Sequence, residues 1–139
     1  MRGLISRRWV MLVAAGLLAC GTSGGDAVAL KELQRSRAGA VEVVLLAPGD
    51  TVAKGKGSFV LEFRQADGSL VDAGLVRLNA TMPMAGMSPM FASTDVQTTD
   101  MKGRYRVASD FGMAGTWRVS VDWEGPGGRG SVAFPATVQ

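Results

Sequence analysis

From Val41 onward, apolar and polar side chains alternate with a period of two, the pattern of strands with one buried face. Val41, Val43 and Leu45 share a face, and Pro48-Gly49-Asp50 then turns the chain. Phe59, Leu61 and Phe63 point one way while Glu62 and Arg64 point the other. Ala66-Asp67-Gly68-Ser69 reads as a hairpin turn with Asp-Gly at its centre. A strand over 71–80 follows, with Val76, Leu78 and Ala80 inward and Arg77 and Asn79 outward. Residues 91–99 form a weak, polar strand suited to a sheet edge. Asp100-Met101-Lys102-Gly103 turns into a strand with Tyr105 and Val107 inward. A loop over 110–115 leads to the cleanest alternation in the chain: Trp117, Val119, Val121 and Trp123 against Arg118, Ser120, Asp122 and Glu124. Gly125-Pro126-Gly127-Gly128 is a tight connection, and Val132 and Phe134 open a last strand that ends near Val138.

About seven short strands at spacings of roughly ten residues, with glycine-rich turns and no long helix after Gly39, predict an all-β fold, a single antiparallel β-sandwich. Asp100-x-x-Gly103-x-Tyr105 fits either a tyrosine corner, whose phenol hydroxyl bonds a backbone group, or an ordinary inward aromatic. Ahead of Val41 the pattern is mixed. Ala29-Leu30-Lys31-Glu32-Leu33-Gln34-Arg35 fits a short helix stopped by Gly39, or part of a tether.

The first residues change the picture. Arg2, Arg7 and Arg8 precede an apolar run from Trp9 to Ala19, too short to span a bilayer. The run ends in Leu17-Leu18-Ala19-Cys20, which resembles a bacterial lipobox. The resemblance implies cleavage before Cys20 and a diacylglyceryl group on its sulfur. Cys20 is the only cysteine, so no internal disulfide can form, and lipidation removes a free thiol from an oxidising compartment. The domain plan is therefore a signal peptide over 1–19, the lipidated Cys20 with a flexible tether over 20–40 that opens Gly21-Thr22-Ser23-Gly24-Gly25, and the sandwich over 41–139. The location expected is the cell envelope. Glycine rather than aspartate after Cys20 favours the outer membrane by analogy with enterobacterial sorting.

Charge follows from this division. Three of the 15 basic residues lie in the signal segment, leaving 12 against 12 acidic ones and a formal charge of zero. A nucleic-acid surface therefore has no support. The chain has no histidine, which removes the commonest general base and every histidine-based zinc or Cu(II) site. It has no phosphate-binding glycine loop ahead of a helix. Asp95 and Asp100 are too far apart to make a confident carboxylate pair. These absences argue against an enzyme.

The candidate chemistry lies in Met82-Pro83-Met84-Ala85-Gly86-Met87-Ser88-Pro89-Met90. Thioethers are soft, neutral donors that select Cu(I) over zinc or hard cations, and three of them suit a trigonal Cu(I) site. Met82, Met84, Met87 and Met90 are the candidate ligands. Met113, in the loop after Phe111, is a fifth from across the rim, and Met101 is a more distant one. Trp117 fits either a cation–π cap over such a site or the core, whose phase it shares. Methionine is also a core filler and an adaptable contact surface. Met82 and Met84 continue the inward phase of Val76, Leu78 and Ala80, so the same residues fit a plug at the end of the sandwich.

Four motifs carry a family resemblance: Asp67-Gly68-Ser69-Leu70-Val71-Asp72-Ala73, Met82-Pro83-Met84-Ala85-Gly86-Met87, Gly103-Arg104-Tyr105, and Phe111-Gly112-Met113-Ala114-Gly115-Thr116-Trp117-Arg118-Val119. Their order and spacing resemble the YtkA-like domain, which is also similar to FixH proteins. The resemblance implies an immunoglobulin-like sandwich, exported or membrane-anchored, of a kind that occurs beside heavy-metal efflux systems. The matching positions are Met82, Pro83, Met84, Met87, Tyr105, Met113 and Trp117. Relatives often carry a histidine near the methionines. This chain has none, which leaves Cu(I) as the metal option. The partners expected are the membrane, through the lipid at Cys20, and metal-efflux or copper-handling proteins.

Overall fold

The computed structural model describes residues 29–139; the signal segment, Cys20 and residues 21–28 lie outside them. The described residues form strands β1 (Lys31–Ala38), β2 (Val41–Ala47), β3 (Gly55–Arg64), β4 (Leu75–Met82), β5 (Met90–Phe91), β6 (Ser93–Thr98), β7 (Arg104–Phe111), β8 (Gly115–Gly125) and β9 (Gly128–Val138). Two antiparallel sheets face each other, one ordered β1-β2-β3-β7-β6 and the other β5-β4-β8-β9. The fold class is the all-β sandwich expected. Among the described residues the strands number nine rather than about seven.

The core lies between the sheets, where the inward residues of every long strand meet. Val43, Leu45, Phe59, Leu61, Phe63 and Val107 come from one sheet, and Ala80, Trp117, Val119, Val121, Phe134 and Ala136 from the other. Phe63 meets Tyr105 and Trp123 edge-on, each with ring centroids 5.3 Å apart. Such edge-to-face pairs add to the burial term. The sides of the sandwich are closed by β1 lying against β9 and by β4 lying against β6. The Thr94 hydroxyl donates to the Leu78 carbonyl at 3.2 Å, which ties the latter pair.

Three expectations need correction. The segment before Val41 is neither helix nor tether over 31–38. It is β1, paired with β2 from Lys31 opposite Ala47 to Ala38 opposite Val41. The physical reason is the partner. An edge strand completes the β2 ladder, and Arg35 bonds Glu32 on β1 and reaches Glu42 on β2 at 2.8 Å. Val44 lies on the outer face of β2 between Arg35 and Glu62, and its exposure is zero because these long side chains lie over it. Secondly, Asp67-Gly68 does turn the chain, with the Asp67 carboxylate accepting from the Ser69 amide and hydroxyl. The turn closes a short hairpin in which Arg64 bridges Leu70, but the strand expected over 71–80 begins only at Leu75, in the other sheet. Thirdly, the polar stretch after the methionines is split. β5 pairs with β4, and β6 crosses to the other sheet and pairs with β7 as its edge.

Tyr105 is buried, and its hydroxyl donates to the Gly74 carbonyl at 3.0 Å. The acceptor lies 31 residues upstream, in the connection that leads into β4. The contact is the phenol-to-backbone bond expected, and it ties β7 to the entry of the other sheet. Burial, helped by the Asp72 charge, raises the phenol pKa above its ordinary 10.

Candidate metal-binding rim

The connections of a sandwich collect at its two ends. One end carries the loops after β2, β4 and β7 together with the last residues of β9. Val52 bridges to Val138, and Gly115 is opposite Val138, which places these segments at one level. This end holds Met82, Met84, Met87, Met90 and Met113. The other end holds the turns after β1, β3, β6 and β8, and Met101 lies there beside Tyr105 and Asp72. Met101 is thereby removed from the methionine group, a full β7 length away.

Within the rim the five candidates separate by depth. Met82 and Met90 are directly opposite each other in the β4–β5 pair. Both are half-buried and pack against the core. Met82 lies one position beyond the Thr81–Arg118 pair, so it continues the inward row that Trp117 belongs to. Glycines at the facing loop leave room for them. A Cβ at Gly115 would stand 2.8 Å from the Met82 Cε, and one at Gly112 would stand 3.8 Å from the Met90 Cε. The loop between β7 and β8 is therefore shaped around these two thioethers. Its central residue, Met113, is 40% exposed.

Trp117 fixes that loop from below. It is fully buried, edge-on to Phe111 with ring centroids 5.1 Å apart. Its indole N–H donates to the Met113 carbonyl at 3.0 Å. Of the two readings of Trp117, core is the one its burial shows. The core reading also gives it a positioning role, because a buried indole needs a partner and finds it in the backbone of Met113.

Met84 and Met87 stand apart at the tip of the β4–β5 hairpin. The Met87 amide donates to the Met84 carbonyl at 3.2 Å across Ala85-Gly86. Gly86 sits at φ 71°, a conformation that closes such a turn and that glycine adopts without steric cost. β4 ends at Met82, and Met84 beyond it is half-buried but is not among the side chains packed on the core. Met87 is 69% exposed. Met82 and Met90 thus pack on the core, Met84 is half-buried at the hairpin tip, and Met87 and Met113 are exposed. The signal for the neighbours of Met82 and Met90 was the Gly112 and Gly115 pair around Met113. Phe91, 67% exposed on the opposite face of β5 from Met90, had no signal in the alternation.

Among the described residues, no group of three or more His, Cys, Asp or Glu side chains is placed to hold a metal. The donors the rim itself offers are neutral sulfurs, which fit a soft monovalent ion and not a hard one.

The sequence model of the YtkA-like family matches residues 35–122. The chain belongs to that family. The match begins inside β1 and ends in β8, so it takes in the hairpin that bears the methionines and the loop of Met113. Among curated proteins compared with this YtkA-like chain, none matches. Similar solved structures include PcoC, a methionine-rich copper resistance protein from Escherichia coli, at 18% identity and a TM-score of 0.46, over 64% of this chain and 88% of that one. The selenomethionine form of PcoC gives 17% identity and a TM-score of 0.42, over 63% and 86% of the two chains. The S-layer protein rSbsC gives 14% and 0.41, over 71% of this chain and 16% of that one.

Proposed function

We propose that this YtkA-like protein is a non-enzymatic, lipid-anchored protein of the cell envelope that binds or passes Cu(I) through the methionine rim. The observation that supports the reading is that the Met82 and Met90 methyl groups, from one hairpin, lie against Gly115 and Gly112 of the loop that carries Met113, with Met84 and Met87 at the tip of the same hairpin. Three neutral thioethers satisfy the coordination Cu(I) prefers. They contribute no charge attraction, so the affinity is modest and the ion can be handed on. Copper here is cargo. The anchor is the diacylglyceryl group expected on Cys20, and the partners that fit are copper-handling or metal-efflux proteins of the envelope.

Anaerobic titration with Cu(I) against a competing chelator tests this. Stoichiometric uptake is expected. The Met84→Leu, Met87→Leu double variant is expected to weaken uptake at least about tenfold, or ~1.4 kcal/mol, with unchanged melting. Uptake indifferent to both changes and to Met113→Leu would sink the proposal.

The packing of Met82 and Met90 on the core favours a second reading. In it the methionines close the end of the sandwich, and the protein is an interaction module without a metal. Met82→Leu separates the two, because leucine preserves volume and removes sulfur. Packing alone predicts near-wild-type melting and no copper phenotype to lose.

A further inference from the structure

The course of β1 has a consequence for the orientation of the rim. β1 runs away from the methionine-bearing end, since Lys31 is opposite Ala47 and Ala38 is opposite Val41 at the far turn. Lys31 also pairs with Asp50, in the loop after β2, at 2.7 Å. The chain before Lys31 therefore leaves the sandwich at the methionine end. Ten residues separate Cys20 from Lys31, and at ~3.3–3.6 Å each they reach no further than about 36 Å when fully extended. The domain is about as long as that, since β9 has 11 residues at ~3.3 Å each. An anchor at Cys20 can then bring the opposite end to the bilayer only by stretching the whole linker along the domain.

The exposed apolar side chains favour the same end. Of the five large exposed apolar side chains among the described residues, the far end presents two, Leu75 and Met101, and the methionine end three, Met87, Phe91 and Met113. Its loops carry one acid, Asp50, and one base, Lys54. Exposed apolar side chains around one end mark a contact surface.

We propose that the methionine rim docks on the phospholipid surface to which the chain is anchored, with Met87 and Phe91 entering the headgroup layer. The inference rests on the lipid anchor at Cys20 and adds the occupant of the rim. Cu(I) held there is then delivered at the membrane face and not to the bulk compartment.

The test uses the full lipidated chain in phosphatidylcholine vesicles, with an environment-sensitive dye on Ala85→Cys at the hairpin tip or on Lys102→Cys at the opposite end. Nitroxide-bearing lipid is expected to quench the Ala85→Cys dye several-fold more than the Lys102→Cys dye. The same measurement on a Met87→Ser, Phe91→Ser background is expected to lose that difference. Equal quenching at the two positions, greater quenching at position 102, or a chain that fails to float with the vesicles overturns the proposal. So does quenching that survives the double substitution, which would show a closeness set by the tether alone and not by Met87 and Phe91. Copper uptake measured on the same vesicles is an independent readout, so failure of docking and failure of metal binding are told apart.

Discussion

Met82 and Trp117 show how individual side chains divide the work of the rim. Met82 fills the end of the core, and Trp117 holds the Met113 backbone through its indole N–H. Trp117→Phe keeps an aromatic ring in the core but orphans the Met113 carbonyl. The expected cost is about 1–3 kcal/mol, read by urea unfolding, together with weaker Cu(I) uptake from a loosened loop. Gly115 stands at φ 138°, where an L side chain is strained. The Met82 methyl facing it is the end of a flexible chain and can swing aside, whereas the backbone angle cannot relax so cheaply. Gly115→Ala is therefore expected to lose about 1–3 kcal/mol, a conformational cost that Met82→Ala in the same chain does not restore. Tyr105→Phe removes the tie to Gly74 and is expected to cost about 0.5–1.5 kcal/mol, with no effect on copper, since it lies at the opposite end.

β1 is the element that local sequence misrepresents. Leu30 and Leu33 sit three apart among Lys31, Glu32, Gln34 and Arg35, all good helix formers. What overrides this is the open edge of β2, whose backbone groups need a partner. A chain that begins at Val41 removes that partner and uncovers Val44. It is expected to melt well below the full domain and to aggregate through the bared β2 edge, as checked by thermal unfolding and light scattering. The stretch over 90–98 misleads in a different way. Its polar alternation reads as one edge strand, and it is one, but it serves two sheets in succession. Met90 completes the β4 edge and Val96 the β7 edge. Which sheet each half joins depends on the facing strands and not on its own residues.

For the molecule as a whole, the missing histidine is a prediction about pH. With no histidine, the sequence has no side chain whose ordinary pKa lies between about pH 5 and 8. The Asp67 carboxyl is held below its ordinary 3.8 by bonds from the Ser69 hydroxyl and amide, and Asp50 is lowered by Lys31. Glu32 is lowered below 4.5 mainly by its hydrogen bond from Arg35. A carboxyl whose folded pKa is depressed stabilises the fold above its unfolded value and loses that contribution as pH falls through the folded one. Melting is therefore expected to be level from about pH 5 to 8 and to fall below about pH 4. Copper uptake is expected to stay level over the same neutral range, because thioethers carry no proton to lose. A rise in uptake with pH near neutrality would point to a titrating ligand that the described residues do not bring to the rim.

The alternation Trp117-Val119-Val121-Trp123, the glycine-rich turns and the spacing of strands were enough to define an all-β sandwich, because a period of two has one burial solution. The same residues also carried the family motifs and the clustering of methionines. What they left open was depth. Met82, Met84, Met87 and Met90 are alike as donors, and only the end of β4 at Met82 and the pairing of Met90 across from it put those two on the core, with Met84 half-buried and Met87 exposed at the hairpin tip. Met113 joined them, and Met101 left them, through the antiparallel course of β7, which sends its two flanking turns to opposite ends. Periodicity is local and can be read along the chain. The grouping of thioethers is a long-range property, set by which strands pair and by how far each one runs.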